Sequence, residues 1–159
     1  MRKNILILTL AAGFMAGMAA AQDKADDLAI IVAKGSTLDS VTSEELNKIF
    51  LEEKSNGPDG HKYIVTVHVS GSPECKAALG SIYKFDQGEY DTYFLRALFA
   101  GRIHEKPQPL NSGAAVRQYV AATAGAIGYV RASEVDDSIK IIKVDGKSPG
   151  DADYPLKIK

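Results

Sequence analysis

A chain of 159 residues with 45% hydrophobic content can bury one ordinary core but not two comfortable ones, so a single domain is expected. Its 19 Lys and Arg stand against 20 Asp and Glu without a dense basic patch, which argues against nucleic acid as a partner. The only cysteine is Cys75, so no intramolecular disulfide can form and stability has to come from packing.

Residues 1–21 read as a secretory signal. Arg2 and Lys3 give a positive start, Ile5 to Met18 an apolar stretch, and Ala19-Ala20-Ala21 a small-residue cleavage site before Gln22. Gly13 and Gly17 interrupt the stretch, which falls short of the roughly 20 strongly apolar residues of a membrane span. A secreted, periplasmic protein is expected, with residues 22–159 as its domain. Loss of Arg2 and Lys3 leaves 17 basic against 20 acidic residues, a net charge of −3.

After a polar leader at 22–27, Leu28 to Ala33 is a short continuous apolar run, the pattern of a buried strand. Lys34 to Ser40 follows as a loop. Thr42 with Glu45 forms a capping box and Val41 with Leu46 a hydrophobic staple, so a helix begins there and turns Leu46, Ile49 and Phe50 to the core. Asn56-Gly57-Pro58 with Asp59-Gly60 ends that segment in a turn. Tyr63 to Val69 alternates as a second strand. Ser72 as N-cap and Pro73 at the first helical position open a helix through about Tyr83. Gln87-Gly88 is read as a break, and Tyr90, Phe94, Ala97 and Leu98 mark a further helix closed by Gly101. Arg102 to Leu110, with Pro107 and Pro109, is read as an extended connector.

Ser112 caps the next helix, on which Val116, Tyr119, Val120 and Thr123 share one face, and Gly125 closes it. Ala126 to Val130 is then a strand whose Gly128 marks the close approach of another backbone. Ser138 to Val144 alternates as a strand, Asp145-Gly146 turns, and Tyr154 to Ile158 is a candidate last strand. This order is α/β, most simply a small mixed sheet flanked by helices.

Chemistry is sparse in the pattern. His61, His68 and His104 lie far apart with no helical spacing suited to a metal, and no nucleophile elbow picks out a catalytic serine. No metal, cofactor or catalytic residue is implied. The loop Ser70-Gly71-Ser72 differs, because a glycine between two hydroxyls at a helix start offers N–H and O–H donors and a positive dipole end to an anion. Asn111-Ser112-Gly113 repeats the pattern. Cys75, with Leu79 and Ile82 on one helical face, reads as a small core residue, and Tyr90, Tyr93, Phe94 and Phe99 read as packing.

Several strings are shared with a known family: Glu45-Leu-Asn-Lys-Ile-Phe-Leu51, Pro58-Asp-Gly60, Ser70-Gly-Ser-Pro73, Phe94 with Phe99 to Arg102, Gly125-Ala-Ile-Gly-Tyr-Val130, and Val144-Asp-Gly146 with Tyr154-Pro-Leu156. In order and approximate spacing, over nearly the whole of 22–159, the chain resembles the periplasmic phosphate-binding proteins of ABC importers, and most of all their short, single-lobe secreted members. The resemblance implies a type II periplasmic-binding-protein lobe, no enzymatic activity, a small oxyanion such as phosphate as ligand, and a transporter as partner. It places the anion-binding loop at Ser70, Gly71 and Ser72. Asn111, Ser112 and Gly113 are the second candidate set. Where the family carries an Arg near this loop, Lys76 is the nearby cation here, and Glu74 opposes an anion.

Three charge-assisted hydrogen bonds at roughly 1.5–3 kcal/mol each, set against an association cost of roughly 4 kcal/mol or more, make a lone lobe a weak binder. Micromolar capture, roughly −8 kcal/mol, needs a second surface from a homodimer or an envelope partner. The competing reading is an envelope protein-interaction module that keeps the fold without ligand binding.

Overall fold

The apolar run Leu28–Ala33 forms β1, and its first four residues are fully buried, as a strand covered on both faces must be. The computed structural model describes residues 27–158; the expected signal at 1–21 lies outside the described residues. A short strand β2 (Ser40–Val41) leads into α1 (Ser43–Phe50). Thr42 Oγ1 accepts from the Glu45 N–H and the Glu45 carboxylate accepts from the Thr42 N–H, and Val41, Leu46, Ile49 and Phe50 are buried together. The box and staple thus fix where α1 begins and which face it buries.

β3 (Ile64–His68) runs into α2 (Pro73–Ala78), which continues as one π turn over Leu79–Tyr83. Next come α3 (Gln87–Phe99), β4 (Gln108–Leu110), α4 (Gly113–Ala122) and β5 (Ala126–Arg131). β6 (Ile139–Ile141) and β7 (Lys143–Val144) complete the elements. The main sheet has the order β4-β3-β5-β1-β6, and β2 pairs with β7 apart from it. β3 is parallel to both β4 and β5, whereas β1 is antiparallel to β5 and β6. The sheet is therefore mixed. One face carries α1, α2 with its π turn, and α3 over Ile30, Val32, Val65, Val67, Ile127 and Tyr129. The other carries α4, whose Val116 and Val120 pack on Ala29, Ile31, Ala126 and Val130.

Five expectations need correction. The stretch 102–110 is not only a connector, because Gln108–Leu110 pairs with Thr66–His68; β4 is an edge strand, where Pro109 forfeits no ladder bond. Gln87-Gly88 does not break the chain but forms the first turn of α3, since Asp86 and Glu89 make a capping box around it. The run 138–144 divides at buried Ile142, with its first half on β1 and its second on β2. Tyr154 to Ile158 forms no strand: Tyr154 and Leu156 are core residues, the Tyr154 hydroxyl donates to Leu28 O (2.7 Å), the Leu28 N–H donates to Leu156 O (2.8 Å), and among the described residues the pairing amounts to an isolated bridge between Asp27 and Lys157. On α3, Phe94 is buried but Phe99 is 85% exposed, so Phe99 does not join the packing that holds Tyr90 and Tyr93.

Gly128 has its expected close neighbour. A Cβ there would lie 2.3 Å from Thr66 Oγ1 and 3.0 Å from a Val116 methyl, so the absent side chain lets β3 and α4 close on β5.

Candidate functional site

Because β3 and β4 are parallel neighbours, their carboxyl ends share one edge of the sheet. The chain leaves β3 for α2 on one face and leaves β4 for α4 on the other, so two helices begin on opposite sides of this edge. Such a switch point opens a crevice at the strand ends. The Val69 N–H donates to Leu110 O (3.1 Å), which ties the loop 69–72 to the loop 110–113. The two sets of candidate residues, 72 and 112 among them, are brought side by side.

Many of the donors there already have partners. Residues 69–72 form a turn closed by the Ser72 N–H on Val69 O (3.3 Å), with Gly71 at φ 88°, the left-handed position that a type II turn requires. Ser72 Oγ accepts from the Cys75 N–H (3.0 Å), and Ser112 Oγ accepts from the Ala115 N–H (3.2 Å). Both serines are thus helix caps with an O–H still free to donate. The exposed Ser70 hydroxyl donates to Gln87 Oε1 (2.8 Å), joining the loop to the first residue of α3. Asn111 is exposed and Gly113 is buried. Lys76 is exposed on α2.

Sequence reasoning missed the charged cluster behind these loops. Glu74, in the first turn of α2, is turned inward and 9% exposed. Its Oε1 accepts from Arg131 Nε (2.5 Å), and its Oε2 lies 4.0 Å from His68 Nδ1. Arg131, at the end of β5, pairs with Glu74 across 57 residues of sequence, a cation that a reading of the loop and its neighbour Lys76 does not reveal. Burial would raise the Glu74 carboxyl, but its own backbone N–H and Arg131 outweigh burial and hold it below the usual carboxylate range. His68 is 5% exposed, and burial lowers its imidazole against the opposing pull of Glu74. Nε2 of His68 donates to Tyr129 O (3.1 Å) and the His68 N–H donates to Tyr129 Oη (3.3 Å).

A second carboxylate reaches the start of α4. Glu134 follows β5 in a short 3-10 turn, Ala132–Glu134, and its Oε2 accepts from the Arg131 N–H (3.3 Å). A Cβ on Gly113 would sit 2.3 Å from that oxygen, so the glycine makes room for the carboxylate. Each helix start therefore has an acidic side chain beside it, with Arg131 between the two acids.

Below Ser70 a cavity of about 350 Å³ opens between α2 with its π turn, the start of α3, and the ends of β3 and β4. Val67, Leu79, Tyr83, Tyr90 and Tyr129 form most of its wall. Cys75 also lines it; burial raises the thiol, in keeping with the packing role expected of it. Toward the amino ends of β3 and β4, Lys54, Lys62, Arg102 and Lys106 surround a second cleft of about 250 Å³ with Glu52 and Glu105, and Lys106 lines both. Among the described residues no group of three or more His, Cys, Asp and Glu side chains could hold a metal ion, and no helix is long and apolar enough to cross a membrane.

No family model matches the chain. Solved structures share its fold. A protein from Clostridium perfringens, assigned as a phosphate ABC transporter substrate-binding protein and crystallised with phosphate, matches with a TM-score of 0.65 and 22% identity over 80% of this chain and 49% of its own. PstS from Borrelia burgdorferi matches with a TM-score of 0.61 and 19% identity, over 84% of this chain and 55% of that one. An ABC-type phosphate transport receptor from Vibrio cholerae matches with a TM-score of 0.55 and 20% identity, over 78% and 48%. The chain spans about half the length of these proteins, and its α/β lobe has the fold of periplasmic phosphate-binding proteins.

Proposed function

We propose that this chain is a secreted, periplasmic solute-binding-type domain that engages a small, phosphate-like oxyanion where the β3–α2 and β4–α4 loops meet, and that it serves an ABC importer. The observation that carries the reading is the bond from the Val69 N–H to Leu110 O. It sets two hydroxyl-bearing loops and two helix starts on one edge at the switch point, where solutes bind in open α/β sheets. The Ser70 and Gly71 N–H groups and the Ser72 hydroxyl are the donors left open, the Ser70 hydroxyl joins them once it leaves Gln87, and Asn111, Ser112 and Gly113 lie opposite. Arg131 supplies a cation at the cost of sharing it with Glu74, and exposed Lys76 adds long-range attraction. The phosphate-binding proteins of the same fold support the ligand class, and the pattern of residues 1–21 supports secretion.

A second reading is favoured by Glu74 and Glu134, which already lie at the two helix starts. On this reading the domain keeps the fold, fills its anion crevice with its own carboxylates, and acts as an envelope protein-interaction module.

Thermal melts with and without millimolar phosphate or sulfate separate the two, since a ligand of the native state raises the midpoint by mass action. The first reading expects a rise in the parent that Ser70→Ala and Ser72→Ala each reduce. No rise with either anion would overturn the first and count heavily for the second. A rise that survives both substitutions and disappears in Lys62→Gln would move the oxyanion to the basic cleft at the amino ends of β3 and β4.

A further inference from the structure

Beneath the candidate oxyanion loop lies a cavity that a bare inorganic anion would not use. We propose that it holds the apolar, ring-sized body of an organic oxyanion, so that the ligand class is an aryl or compact alkyl phosphate or phosphonate rather than inorganic phosphate alone. The inference rests on the oxyanion reading above for the head group and on the cavity itself for the body.

Three observations carry it. The volume, about 350 Å³, falls in the range of small-molecule pockets, and its mainly apolar wall with a few polar groups at the rim has the make-up of such sites. The wall is rich in aromatic rings already arranged in pairs: Tyr83 meets Tyr90 edge to face at 4.9 Å, and Tyr129 stacks on His68 at 5.3 Å. A further ring can add to such a set in offset or edge-on geometry. Tyr83 is also a wall residue whose buried hydroxyl meets no partner at good hydrogen-bond geometry among the described residues, its polar neighbour being Tyr90, an under-satisfied group of the kind that well-formed interiors seldom leave. Finally, the rim is shared with the loop, because Ser70 lines the cavity together with Gln87, Asp91 and Lys106. A head group held at Ser70 therefore has adjoining apolar space for its substituent, with the Lys106 charge complementary to the head and Asp91, which accepts from Gln87 Nε2 (3.2 Å), opposing it.

Cys75 makes the cavity observable. It is the only cysteine of the chain, it is half-buried, and it lines the wall, so an occupant must slow its alkylation. The test titrates inorganic phosphate and phenylphosphonate into the full mature chain by calorimetry and, in parallel, follows the rate of Cys75 labelling by N-ethylmaleimide. The expected result is that phenylphosphonate binds at least tenfold more tightly than phosphate, about 1.4 kcal/mol, and slows labelling severalfold while phosphate leaves it unchanged. Cys75→Leu, which fills the cavity from its wall with another apolar side chain, is expected to lose the advantage of phenylphosphonate and retain phosphate binding. If phosphate binds but phenylphosphonate binds no more tightly and does not protect Cys75, this inference is overturned and the oxyanion reading stands. If neither compound binds, both fall.

Discussion

Single side chains at the sheet edge hold this fold together as much as they suggest a use. Gly128→Ala would drive a methyl into Thr66 Oγ1 and Val116, and a crowded interior costs about 1–3 kcal/mol. Thr66→Ala removes the nearer obstacle, so the double variant should recover part of the loss, with urea midpoints of the two single variants and the pair giving the coupling. Glu74→Gln belongs to the same scale. Loss of its favourable interaction with the α2 dipole would by itself cost up to about 1 kcal/mol; with Glu74 buried on Arg131, the expected cost rises to about 2 kcal/mol or more. The substitution also frees the Arg131 guanidinium, so phosphate should bind more tightly at low salt, with the gain shrinking as ionic strength rises. Calorimetry at two salt concentrations, beside a denaturation curve, checks both halves.

His68 makes this cluster sensitive to pH. It faces Glu74, Arg131 and Glu134, and its proton affinity is lowered in the folded state chiefly by burial. As pH falls, the unfolded chain takes up the proton first, near the ordinary histidine value of about 6.5. The stability that His68 contributes is thus present above that value and lost below it. Unfolding midpoints should fall between about pH 7 and 5.5 in the parent, before the carboxylates titrate. His68→Gln, which can still donate to Tyr129 O, should flatten that limb; an unchanged slope would assign the pH dependence to other groups.

Whole elements were legible where a local device marks them. Thr42 with Glu45, Ser72 with Pro73, and Ser112 each place a helix start because the cap satisfies donors within the same few residues. The continuous run 28–33 likewise announces a buried strand. β4 was hidden because a three-residue edge strand containing Pro109 carries no periodic pattern, and the division at Ile142 was hidden because its two halves pair with strands far away in sequence. The loops Ser70–Ser72 and Asn111–Gly113 could be picked out as helix starts, but their adjacency depends on the β3–β4 pairing. Arg131 and Glu134 escaped notice for a related reason: they reach the site from the far end of β5, across 57 residues in the case of Arg131 and Glu74. At this scale Glu134→Gln is expected to cost less than about 1 kcal/mol, the size of a charge–dipole interaction at a helix start. It should enlarge the phosphate-dependent rise in melting temperature by removing a competitor from α4. Differential scanning calorimetry of the variant with and without phosphate is the check.

For the molecule as a whole, the open question is how tightly one lobe can hold an anion. The sheet edge offers a few free donors and a cation already engaged by Glu74, and the chain spans about half the length of the phosphate-binding proteins that share its fold. Three charge-assisted bonds of roughly 1.5–3 kcal/mol each must offset the association cost and the partial loss of the Glu74–Arg131 pair, which leaves at best roughly −4 kcal/mol, a Kd of about 1 mM. At about 10 mM phosphate such a ligand stabilises the native state by about 1.4 kcal/mol. With unfolding entropy near 2.1 cal/mol/K per residue, that raises the melting temperature of a domain this size by about 5 °C. The rise should follow the logarithm of phosphate concentration and should not depend on protein concentration if one copy binds alone. A rise that already sets in at micromolar phosphate and grows with protein concentration would mean that a second copy completes the site, and the single-lobe estimate would then be wrong.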